Sequence, residues 1–251
     1  RTQERGWKQS FSDRLNLSYE QNKMHSIGIN GRLSIADATP IQHSSSIVKN
    51  SNETTTNSTG SDINNDTKNR QYQLALNYNW QIDSKGSNFK LIADYLNFSN
   101  QIQQNSIYRY GINTESETNK YSKNDIDNKT DMYEVDARFA IMIGKKGQLD
   151  FGANYSLNKS DQQLDYQHLI NNAWIADTDL CDNYMLEGIK YAGYMSYSSA
   201  IGKKIKYKAG YRIQQNKISY HSKKIYETNL RTYFGFYPSL SLMYNINPQD
   251  G

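Results

Sequence analysis

The chain has 251 residues, 36% hydrophobic and 22% charged, and its 29 basic and 25 acidic residues leave a formal net charge of +4. That balance gives no polyanion-binding surface, so nucleic acid is not an expected partner. The single cysteine, Cys181, excludes a disulfide scaffold, and the longest apolar run, Phe139 to Ile143, is far short of the ~20 residues of a membrane-spanning helix.

Period-two alternation begins at Leu15, Leu17 and Tyr19 and returns at Ile27, Ile29, Leu33 and Ile35. It is clearest at Tyr72, Leu74, Leu76, Tyr78, Trp80 and Ile82, where Gln71, Gln73, Asn77, Asn79 and Gln81 fill the other parity. Further strands follow at Phe89 to Tyr95, Tyr133 to Ile143, Leu149 to Leu157, Ile189 to Tyr197, Ile205 to Ile213 and Leu240 to Ile246. The pattern predicts nine strands of roughly 10 to 14 residues, about twice the usual length.

The connections alternate in length. Short turns are expected over 20–24, 83–87, 144–148 and 202–204, with 247–251 opening another. Long polar stretches over 37–68, 100–129, 158–185 and 219–232 are rich in Asn, Ser, Thr and Asp and show no period, so they read as loops. Long loops on one edge of a sheet and tight turns on the other describe an outer-membrane barrel of a Gram-negative cell, with extracellular loops and periplasmic turns.

A soluble antiparallel sandwich or β-rich binding module would also alternate, but it accounts for neither the strand length nor the loop asymmetry. Tyrosines and Trp80 near strand ends suit the aromatic girdles of a bilayer. The polar parity predicts a wet lumen lined by Arg14, Glu134, Asp136, Arg138, Lys206, Lys208 and Arg212. So many charges need a wide barrel of ~16 to 22 strands. An odd strand count cannot close, because single-chain bacterial barrels have an even number, so residues 1–251 are expected to form one partial barrel domain of a larger whole.

Residues 191–216, Y-A-G-Y-M-S-Y-S-S-A-I-G-K-K-I-K-Y-K-A-G-Y-R-I-Q-Q-N, resemble the strand, G-K turn and strand hairpin of TonB-dependent receptor barrels, nearest the Bacteroidetes outer-membrane β-barrel family. Residues 234–247, F-G-F-Y-P-S-L-S-L-M-Y-N-I-N, resemble that family's F-P-S-L strand. The resemblance implies an all-β, antiparallel, 22-stranded transmembrane barrel with a plug domain and an energy-coupling segment, neither within this sequence. It also implies outer-membrane lipid and a TonB-type coupling protein as partners, and a surface lipoprotein as a possible further one.

No catalytic constellation is present: His25, His43, His168 and His221 are dispersed, and Asp177, Asp179 and Asp182 lack the glycine and terminal glutamate of a calcium loop. Neither enzyme activity, a cofactor nor a metal is expected. The candidate ligand-binding residues are aromatics outside the strong strand pattern, Tyr108, Tyr110, Tyr121, Tyr166 and Trp174, whose rings can stack on a sugar or chelate. The expected function is nutrient binding by the outer loops and passage through the lumen; a structural or adhesive surface barrel is the second reading. An arginine at Ile141 is expected to be costly if that position meets the bilayer midplane.

Overall fold

A computed structural model describes residues 2–49, 55–112, 114–202, 204–224 and 228–244. The chain forms one antiparallel sheet of twelve strands: β1 (Thr2–Arg5), β2 (Lys8–Asn22), β3 (His25–Ala38), β4 (Ile41–Lys49), β5 (Thr55–Gln81), β6 (Asn88–Tyr110), β7 (Thr118–Ile143), β8 (Gly147–Ile170), β9 (Ala173–Ala176), β10 (Asp182–Ile201), β11 (Ile205–Ser222) and β12 (Thr228–Tyr244).

Two of these divisions are interruptions of a single path. β3 pairs with the lower part of β5 and β4 with its upper part, while β2 and β1 follow beside them. The break falls at Gly6 on one path and Pro40 on the other. Pro40 has no N–H to give the ladder, and Gly6, with φ +151°, lies so close to the neighbouring chain that a Cβ there would meet Thr39 O at 2.4 Å. Counting each interrupted path once, and setting aside the short cap strand β9, the described residues make nine spans, as the alternation predicts.

The long polar stretches are not loops over most of their length. β5, β6, β7 and β8 run for 27, 23, 26 and 24 residues, and their ladders continue unbroken through the stretches read as irregular. Cross-strand hydrogen bonds hold these extensions whatever the side chains face. The alternation that marks the lower part of each strand does not carry on in the same parity there, and the sequence signal of the strand is lost with it. The last predicted strand is described to Tyr244; Ile246 and the turn expected over 247–251 lie outside the described residues.

The short turns stand where expected. Gly144 and Gly202, each in an Ile-Gly-Lys-Lys sequence, adopt φ +64° and +66°, the left-handed conformation that favours glycine. Lys146 Nζ donates to Gly202 O at 3.1 Å and ties the two turns together. In the turn after β5, Asp83 accepts from Ser87 Oγ at 2.7 Å, from Ser87 N at 2.9 Å and from Lys85 N at 2.8 Å. These bonds, the Ser87 hydroxyl first, hold the carboxyl below its ordinary value. A depressed folded-state pKa adds stability above the unfolded value near ~3.9, lost as pH falls through the folded value. Asp83→Ala should therefore lower stability at pH 7, and the gap to the parent should close as denaturation is followed below pH ~4.

Among the described residues the backbone of each strand approaches only its hydrogen-bonded neighbours, so these residues form a single layer with no second sheet over either face. The buried hydrophobic residues among those described are Ala140 and Ala192 alone. A soluble sandwich would bury one apolar face against another sheet. Here the apolar parity stays open, with Leu74 54% and Tyr133 43% exposed.

That face carries a belt. Trp80, Phe89, Phe139 and Phe151 fall in one register row near the short turns, with Phe89 and Phe139 ring centroids 4.4 Å apart and Phe139 and Phe151 5.3 Å apart. Leu91, Ala137, Ala153 and Gly193 form the next row. Tyr95 and Tyr133, 4.9 Å apart, lie on the upper row beside Leu157 and Ile189. The row above is polar: Tyr95 Oη and Asn97 Nδ2 donate to Asp131 at 2.8 and 2.9 Å, and Lys159 pairs with Glu187 at 3.2 Å. Aromatic rows flanking an aliphatic band, with polar groups just beyond, are the profile of a bilayer crossing.

In a barrel wall the charged parity is the inner, concave face and the apolar parity the outer, convex one, and at the level of Gly152 the inner face is the more crowded. A Cβ at Gly152, on the charged parity, would meet Ala137 O at 2.4 Å and Tyr194 Oη at 2.5 Å, whereas one at Gly193, on the apolar parity, would meet nothing within 4 Å. Gly152→Ala should cost about 1 to 2 kcal/mol by overpacking, and Gly193→Ala should be near neutral, when the two are compared by chemical unfolding of the bilayer-inserted protein.

Candidate functional site

On the concave face, across the depth of the apolar belt, the side chains form a charged network. Asp150 is its centre: Arg138 donates to it at 2.8 Å, Gln148 at 2.8 Å, and the Lys208 ammonium lies 3.6 Å away. Two rows above Asp150, Asn154 donates to Glu134 at 2.7 Å and Asp136 at 3.5 Å. Tyr194 Oη reaches Asp136 at 3.3 Å, and Lys190 lies 3.7 Å from Glu134. Opposite charges satisfy one another along this wall: Arg138 and Asp150 on adjacent strands, Lys190 and Glu134 across β8, and Lys208 and Asp150 across β10.

The predicted lumen residues thus come together in part. Glu134, Asp136, Arg138 and Lys208 belong to the network; Arg212 Nε instead donates to Gln214 at 3.1 Å, and Lys206 lines a separate pocket of about 320 Å³ with Lys208 and Ser198. Arg14 lies on β2, directly opposite Arg32. Sequence reasoning missed Asp150, Asn154, Lys190 and Tyr194. The signal was available in their parity, which places all four with the charged set; Tyr194 was masked by being aromatic.

Above the belt the two faces exchange character. With no register shift in the β6–β7 and β7–β8 ladders, the parity that is polar within the belt becomes apolar. Leu96 lies opposite Met132, and Ile102, Ile126 and Leu164 share one row on the concave side. The convex parity turns hydrophilic, with Gln101, Gln103, Asp125, Asp127, Gln163 and Asp165 lining a shallow groove. Side chains leaving hydrocarbon no longer need to be apolar outside.

The five candidate aromatics lie in strands, not loops: Tyr108 and Tyr110 in β6, Tyr121 in β7, Tyr166 in β8 and Trp174 in β9. They divide between the faces. Tyr108, Tyr110 and Tyr166 keep the concave parity, whereas Tyr121, opposite Ile107, and Trp174, opposite Leu169, keep the convex one. Trp174 packs under the Lys123 ammonium, 4.2 Å from its ring centroid. Tyr166 meets the His168 ring at 4.9 Å. The segment over Cys181 is fastened to β8, since Tyr166 N donates to Cys181 Sγ at 3.1 Å. Asp177 faces His168 at 3.1 Å and Asp182 accepts from Ser222 at 2.9 Å, so these loop acids serve different partners.

Tyr108 and Tyr110 border a cavity of about 490 Å³ with Thr2, Ser44, Ser46, Thr59 and Ser61. Ser44 and Ser61 hydroxyls are 2.7 Å apart. Two rings and a wall of hydroxyls suit a ligand with one face to stack and several groups to hydrogen-bond. Ser44, Ser46, Thr59 and Ser61 fell in a stretch read as loop, so sequence alone did not join them to the tyrosines.

A sequence profile described as the outer membrane protein beta-barrel family matches residues 80–251. No curated protein matches in sequence. Among solved structures, the ferric citrate transporter FecA in its unliganded form has a TM-score of 0.39 at 8% identity, over 95% of this chain and 42% of that one. BauA, the ferric preacinetobactin receptor from Acinetobacter baumannii, gives 0.48 at 11% identity over 98% and 45%. Neisserial surface protein A gives 0.25 at 13% identity over 86% and 96%. The chain spans less than half the length of the first two.

Proposed function

The chain belongs to the outer membrane protein beta-barrel family and lies in the outer membrane, and from that premise we propose that it forms part of the wall of a transporting barrel of the TonB-dependent receptor kind. The observation that carries this reading is the single-layered sheet with hydrocarbon-compatible side chains on one face and a charged wall on the other. Among the described residues, β2 and β12 each lack a second partner, and open edges in lipid cost several kcal/mol per backbone group. Residues 1–251 are then one barrel portion, closed by strands outside it, with a plug domain belonging to the same whole.

In this reading the long extensions of β5 to β8 stand on the extracellular side and the short turns on the periplasmic side. Ligand meets the cavity beside Tyr108 and Tyr110, with Tyr166 on the same concave wall, and then passes the Arg138–Asp150 network. The protein does no covalent chemistry. A TonB-type protein supplies the energy through segments outside this chain, a surface lipoprotein is a further partner, and the Bacteroidetes branch of such barrels is the expected source. A second reading, a structural or adhesive barrel, is favoured by the acidic convex groove above the belt, where Tyr121 and Trp174 also face.

Growth of a deletion strain across sole carbon and iron sources separates the two. Uptake predicts a source-specific defect, restored by the full-length gene but not after Tyr108→Ala with Tyr110→Ala, and restored fully by Tyr121→Ala. Unchanged growth on every source, with loss of cell or surface attachment, would favour the structural reading.

A further inference from the structure

We propose that Arg14 and Arg32 form an oxyanion site on the lumen wall, taking a carboxylate or phosphate group. It rests on the reading that the concave face lines the lumen.

The two arginines are direct cross-strand partners, Arg14 on β2 and Arg32 on β3, and their shared parity is that of Asn16, Asn30 and Gln73, opposite to Leu15 and Leu33. Directly opposed residues have Cβ atoms roughly 4.5 to 5.5 Å apart, and like charges in that position repel. Elsewhere on this wall Arg138 and Lys208 are answered by Asp150 and Lys190 by Glu134. Of the cations there without an ion pair among the described residues, Lys206 and Arg212 have no cation directly opposite, and Lys90 stands opposite Arg138, which Asp150 answers. Among the described residues neither Arg14 nor Arg32 has an ion pair.

The surrounding acids are placed elsewhere. Asp13, Asp37 and Asp66 stand on the opposite parity, and Asp37 is engaged by Arg70 at 2.5 Å. Glu20 shares the concave parity but lies six residues down β2, and Asp94 lies on β6, beyond the intervening β5. The arginines instead border a cavity of about 310 Å³ whose other polar lining is Asn16, Asn30 and Gln73. Two guanidiniums and three amides bordering one polar cavity supply the donors by which an oxyanion is held through charge-assisted bonds. Asn and Gln supply further N–H donors without adding a competing negative charge.

The anion has two possible sources: a dissolved solute, or a carboxylate carried by another part of the same full-length protein. Titration calorimetry of the purified full-length protein with inorganic pyrophosphate and with succinate distinguishes them. If the source is dissolved, one of these probes binds, Arg14→Gln and Arg32→Gln each weaken it at least tenfold, Arg32→Lys weakens it less, and Lys90→Gln on the same wall leaves it unchanged. If the protein supplies its own carboxylate, neither probe binds, and both glutamine substitutions lower the unfolding temperature. The proposal is overturned if neither probe binds and the substitutions raise or leave unchanged the unfolding temperature, as relief of bare repulsion requires. It is also overturned if Lys90→Gln weakens probe binding as much as the arginine changes do. A spin label at Asn16, in a Cys181→Ser background, reports the face independently: greater relaxation by a water-soluble than by a lipid-soluble agent keeps the lumen reading whatever the anion result.

Discussion

Ala137→Arg should destabilise the inserted barrel by about 2 to 4 kcal/mol, the penalty for arginine on the lipid face at the bilayer midplane. Ala137 lies on the apolar parity of β7, six residues from Ile143 and four from Tyr133, between the lower phenylalanine row and the upper tyrosine row. With ~3.3 Å per residue and a tilt near ~45°, six residues climb about 14 Å, half of an apolar band about 25 Å tall. Ala137 also borders a shallow outward notch with Ala153 and Gly193, so a longer side chain meets no steric obstacle and the cost isolates desolvation. Ile141, where sequence reasoning placed the penalty, is two residues from the end of β7. An arginine there snorkels to the headgroups, and the cost should fall to about 0 to 1 kcal/mol. Reversible guanidinium unfolding into phospholipid vesicles measures both, with Ala137→Leu as the size control.

Asp150→Ala is expected to cost about 1.5 to 3 kcal/mol, the worth of hydrogen bonds to a charged group. The Asp150 side chain is 5% exposed and accepts from Arg138 and Gln148, with Lys208 beside it. Its removal leaves two cations, on β7 and β11, without the carboxylate between them. Arg138 and Lys208 are 43% and 51% exposed, so lumen water screens the remainder and keeps the loss below that of a sealed ion pair. Arg138→Ala should be milder, because Asp150 keeps Gln148 and Lys208. Equal losses from both substitutions in the same unfolding assay would mean that the carboxylate is not the hub.

The sequence made the membrane-crossing part legible because two solvents act there on alternate residues. Phe139, Ile141 and Ile143 face hydrocarbon while Arg138 and Asp136 face water, and the contrast survives as period two. Above the Tyr95–Tyr133 row that contrast ends. Asn97, Ser99 and Gln101 stand outside while Leu96, Phe98 and Ile102 stand inside, so apolar residues persist but on the reversed parity. A reading that follows one parity loses the strand at the switch and names a loop. The tyrosines of the candidate site were recognisable as residues set apart from the belt, yet their division between faces depended on an uninterrupted ladder, which only the register reveals. The serine wall around Tyr108 and the Arg14–Arg32 pair were likewise out of reach, since pairing alone brings Arg14 to Arg32, Ser44 to Ser61 and Ser61 to Tyr108.

The central claim, that one face of each span touches lipid and the other water, is tested most directly by a cysteine scan of residues 133–143 in a Cys181→Ser background. Each site carries a fluorophore, and quenching is compared between brominated lipid and aqueous iodide. Strong lipid quenching at 133, 135, 137, 139, 141 and 143, alternating with weak quenching at the residues between, is the expected result. Uniform quenching, or lipid contact at Glu134, Asp136 and Arg138 instead, would contradict it.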